Sequence, residues 1–124
     1  MPHDDGNPRH QLMLRIDEQL SHVWLVRTFV KHSEEAEEDD DLREVHRELY
    51  DYMLALGPAF QAKDADEYLK LARKKLGKLR KTAELFREVQ PEVSTHTNFL
   101  MAVHSLEVAV REICQLLEAE HGKT

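Results

Sequence analysis

Residues 99–117 read FLMAVHSLEVAVREICQLL, and Phe99, Val103, Leu106, Val110, Ile113 and Leu117 fall alternately four and three positions apart. A mean step of 3.5 keeps side chains on one face of an α-helix, whereas a strand would need every second residue. Pro91 suits the first turn of such a helix, because its missing N–H has no partner there in any case, so a helix over about 91–121 is expected.

Working back from this helix, Tyr68, Leu69, Ala72, Leu76, Leu79, Ala83 and Phe86 form a second stripe over about 64–89. Asp64 and Glu67 stand at the spacing of a capped helix start. Leu42, Val45, Leu49, Tyr52, Met53, Leu56 and Phe60 mark a helix over about 41–62 that crosses Gly57-Pro58, where a kink is expected because the stripe continues beyond it. Leu12, Met13, Ile16, Leu20, Val23, Trp24 and Val30 mark a first helix over about 9–33. Between these two, residues 34–41 hold seven carboxylates in eight positions, which reads as a solvated connection. Residues 1–8 have two prolines, a glycine and no apolar period, and read as a flexible leader.

Four amphipathic helices joined by short links imply one all-α domain over 9–122, most simply an antiparallel, up-down-up-down four-helix bundle. The composition agrees. One third of the 124 residues are charged and only four are glycine, which suits long helices. A net charge of -7 repels polyanions and argues against nucleic acid as a partner. No apolar run is long enough to cross a bilayer. A lone Cys114 and a polar start without a secretion signal point to the cytoplasm.

Some apolar residues lie outside the stripes. Projected at 100° per residue, Leu14, Leu25 and Phe29 fall roughly opposite the main face of the first helix, so that a second buried face is expected there, most cheaply in a homodimer or other homo-oligomer. An unknown protein partner would serve the same purpose. On the third helix the lysines project outward, while Arg73, Arg80 and Arg87 line the edge of the stripe. Arg80 is expected opposite Glu44 and Glu48, and Arg87 toward the acidic connection.

Eight histidines and 24 acids invite a search for metal ligands. Only Glu118 to His121 has the Glu-x-x-His spacing of bundle di-metal centres, and there is no second copy. No metal, cofactor or catalytic residue is assigned, and no nucleophile stands in a recognisable setting with a base. Arg27 is the one cation inside the first stripe, and antiparallel packing would bring it level with Glu48, His46 and His96. An ion pair between Arg27 and Glu48 would satisfy it. The sharper expectation is a small-anion, metabolite or metal site at this end, anchored by Arg27 with His46 or His96 as a titratable donor. The leading expectation is a non-enzymatic helical protein that acts through protein contacts and self-association.

Overall fold

A computed structural model of the chain describes residues 7–121, with the backbone alone for His121. The described residues are helical almost throughout, without strands, and form six helices: α1 (Pro8–Lys31), α2 (Glu34–Glu38), α3 (Asp40–Gln61), α4 (Ala65–Lys74), α5 (Leu76–Val93) and α6 (Thr97–His121). Most of the leader expected over 1–8 lies outside the described residues, but its end is already structured. Asn7 caps α1 by accepting from the Arg9 N–H at 2.8 Å.

Three sequence expectations are corrected. The acidic connection contains a helix of its own and the first turn of another. Ser33 Oγ accepts from the Ala36 N–H to start α2, Asp39 Oδ1 accepts from the Leu42 N–H to start α3, and the acids sit in the first turns, where the helix dipole favours them. Arg43 closes the end of α2 by donating to the Ala36 and Glu37 carbonyls, and it pairs with Asp40. Ala36 is buried, so the segment is pinned to the core.

The expected third helix is two. Lys75 has φ -100 and ψ 2, a bridge conformation that interrupts the helix between α4 and α5, two residues before the helix-weakening Gly77. Pro91 does not open the last helix but lies in the last turn of α5. The chain leaves helical geometry only at Ser94, whose N–H still bonds the Gln90 carbonyl while Gln90 Nε2 donates to the Ser94 carbonyl. His96 Nδ1 then accepts from the Asn98 N–H, and α6 begins. By contrast, α3 does run through Pro58 to Gln61.

The turn from α3 to α4 is the tightest. Lys63 has φ 57, the Asp64 N–H bonds the Ala59 carbonyl and the Lys63 N–H the Phe60 carbonyl, which is a Schellman closure with a lysine in the place usually held by glycine. Asp64 Oδ1 at once accepts from the Glu67 N–H and opens α4.

The core is a single cluster drawn from all the helices. Met13, Ile16, Val23, Leu42, Leu49, Tyr68, Phe86, Leu106 and Ile113 are among its members. Long-range contacts set the levels of the helices. Arg9 reaches Glu120 (3.0 Å) while Phe29 meets Phe99 edge-on at 4.9 Å, tying both ends of α1 to α6. The buried Tyr52 hydroxyl donates to the Ala72 carbonyl at 3.0 Å. Arg73 donates to the Leu117 carbonyl (3.2 Å) and to Glu120. The arginine partners thus differ from those expected: Lys78 takes Glu48 (3.5 Å), and Arg87 takes Glu107 (3.5 Å). One member of the first stripe is also misplaced. Trp24 is 45% exposed, and Val26, at 4%, takes its share of the core.

Candidate functional site

The displaced tryptophan organises the most unusual surface of the molecule. Arg27 follows Trp24 by three residues on α1, nearly one helical turn, so both project toward α3. There Tyr50 meets them. The Trp24 and Tyr50 rings lie 6.5 Å apart, and the Arg27 guanidinium is held against both, 4.8 Å from one ring centroid and 4.7 Å from the other. Such stacking places the cation on the negative faces of two aromatic rings. Arg27 Nε is buried without a hydrogen-bond partner, and the rings provide the compensation that an acid was expected to give.

His46 lies one turn before Tyr50 on α3 and joins this cluster. Burial lowers its pKa from the ordinary 6.5, and the nearby charges of Arg27, Lys31, Arg47 and Arg43 push in the same direction. Of these cations Arg43 is paired with Asp40, whereas no carboxylate pairs with Arg27, Lys31 or Arg47 among the described residues. A positive corner therefore stands on a chain of net charge -7.

Beside it runs an apolar groove. Trp24, Tyr50, Met53, Leu54, Gly57 and Pro58 line a depression of about 430 Å³ between α1 and α3. Tyr50 is 39% exposed and Leu54 59%. A Cβ built on Gly57 would meet nothing within 4 Å, which leaves the floor of the groove open. A second depression continues past Met53 and Gly57 to Asp17 and Ser21. Asp17 is half-buried and accepts a hydrogen bond from the Tyr68 hydroxyl at 3.3 Å. Burial raises its pKa, and the Tyr68 bond partly offsets this. The α1–α3 face is thus basic at one end and aromatic and apolar in the middle, and it carries one half-buried carboxylate, Asp17, at the other end.

Of the four ligand residues expected from the sequence, Arg27 and His46 come together. Glu48 points the other way, to Lys78, and lines a groove of about 390 Å³ with Asp51, Lys74 and Lys75 beside the α4–α5 break. His96 is exposed and occupied in starting α6. Of the expected interface residues, Leu25 is 65% exposed, Leu14 is half-buried, and Phe29 packs partly into the core against Phe99. Trp24, Tyr50 and Leu54 were absent from both sets. The sequence signal for them is the spacing of Tyr50 and Leu54, four residues apart and off the α3 stripe.

No group of three or more metal-ligating side chains gathers among the described residues, and the His121 side chain lies outside them. No helix among them is long and apolar enough to cross a membrane. The chain matches no protein-family model, no curated protein and no solved structure.

Proposed function

We propose that this is a non-enzymatic, cytoplasmic protein that works through protein contacts, self-association included. Its α1, α3, the α4–α5 rod and α6 would form the four arms of an antiparallel, up-down-up-down bundle that presents the α1–α3 face. The contacts of Arg9 with Glu120 and of Phe29 with Phe99 favour that topology, because each joins the start of one helix to the end of the other.

The observation that carries the functional reading is the exposed Trp24–Tyr50 pair with the half-buried Arg27 held against both rings. Tryptophan, tyrosine and arginine are the residues that dominate binding energy in protein interfaces. Here they are already locked against one another, so little side-chain freedom remains to be lost on binding. Light scattering over a range of protein concentrations tests the reading. A mass that rises above the monomer, and falls back in Leu54→Glu with helicity retained, is the expected result. A monomer mass at every concentration removes self-association.

The positive corner favours a second reading, in which a small anion or anionic metabolite binds at Arg27 and His46, without Glu48 or His96. Thermal-shift measurements with phosphate, sulfate and dicarboxylates test it, and absence of stabilisation by all of them overturns it.

A further inference from the structure

The α1–α3 face has an order along its length. Lys31, Arg27 and Arg47 carry unpaired charge at one end, Trp24, Tyr50 and Leu54 fill the middle, and Asp17 stands at the other end. A surface of this kind complements itself. When a copy is laid on it with both helices reversed in direction, basic ends meet acidic ends and apolar centres coincide. With the helices in the same direction, cations would face cations.

We propose that a second copy of the chain covers this face, related by a two-fold axis that lies in the interface and crosses α1 and α3 at the level of Trp24 and Tyr50. This rests on the protein-contact reading above. The Trp24–Tyr50 ring contact joins the two helices at this point, so an axis placed through it serves both. A two-fold contact is isologous, each residue meeting the one reflected through the axis level. Lys31 lies seven residues after Trp24 (31 − 24) and Asp17 seven before it (24 − 17), so Lys31 of each protomer meets Asp17 of the other. Leu25, 65% exposed and next to the axis level, meets its own counterpart. Exposed Leu54, one turn from the axis level on α3, adds apolar surface to the centre of the contact. The partner's carboxylate also gives the basic corner the countercharge that its own chain withholds.

Two sets of variants test the proposal, with circular dichroism confirming helicity. In a Cys114→Ala background, Leu25→Cys should oxidise readily to a covalent dimer, because residues beside a two-fold axis face themselves. Met101→Cys, also well exposed at 54% but on α6, should not. In the native background, Lys31→Glu should weaken the dimer about fivefold or more, and adding Asp17→Lys should restore it, since the double exchange re-forms the pair in reverse. A dimer whose affinity ignores Lys31→Glu, and which is bridged through Met101→Cys but not Leu25→Cys, overturns this axis and leaves self-association standing. A monomer at all concentrations overturns both, and would leave the face to an acidic amphipathic segment of a different protein.

Discussion

The Tyr52 hydroxyl donates to the main-chain carbonyl of Ala72 at 3.0 Å, which ties the buried face of α3 to the last turn of α4, just ahead of the break at Lys75. Burial, with a smaller contribution from Cys114, pushes the phenol far above its ordinary pKa, which keeps it a donor near neutral pH. Tyr52→Phe keeps the ring and removes the bond. A loss of about 1–2 kcal/mol in urea unfolding is expected, since the Ala72 carbonyl then loses a buried partner.

The break itself can be strengthened. Gly77 is helical with φ below zero, and a Cβ there meets nothing within 4 Å. Gly77→Ala should therefore stabilise the protein by about 0.5–1 kcal/mol through a smaller loss of backbone freedom on folding. A lower urea midpoint would show instead that the glycine is needed for the turn at Lys75.

His46 makes stability depend on pH in a definite direction. Its pKa in the folded state lies below the ordinary 6.5, first through burial and then through the surrounding cations. The unfolded chain therefore binds the proton more readily. The contribution of neutral His46 is complete above about pH 6.5 and is lost as pH falls through that value toward the folded pKa. His46→Asn should flatten this part of a stability profile measured from pH 8 to pH 5.

Arg27→Met should remove the cation from the rings while keeping an apolar stem in place of the arginine's own. A loss of about 1 kcal/mol is expected from the aromatic contact. Two further readouts separate this from general loosening. Trp24 is the single tryptophan of the chain, so its fluorescence reports the site directly. The His46 pKa, followed by NMR, should rise toward its ordinary value because one of the charges that lowers it has gone.

The helical class and much of the core were legible from periodicity, because burial follows the 3.6-residue turn and Val103, Leu106 and Ile113 fall where the stripe puts them. The segment boundaries were less so. Ser33 and Asp39 start two helices within an acidic run whose net repulsion suggests a loop, and only the position of each carboxylate relative to a helix start turns that charge to advantage. Around Lys75 only Gly77 weakens the helix, and it lies two residues past the break among lysines and leucines that favour helix, so the stripe reads as continuous. Trp24 was assigned to the core beside Val23, yet adjacent helical residues point 100° apart, so both cannot occupy the middle of one stripe. For Arg27 the charge alone points to an acidic partner. The aromatic alternative depends on Tyr50, which only the packing of α1 on α3 brings into reach.

The corner at Asp64 has a kinetic consequence. The same residue gives its N–H to the last turn of α3 and its carboxylate to the first turn of α4, so no free residue lies between the two closures. Neither helix end can fray without releasing the other. The bonded amide hydrogens of Lys63, Asp64 and Glu67 should then exchange with solvent as one group, at one rate.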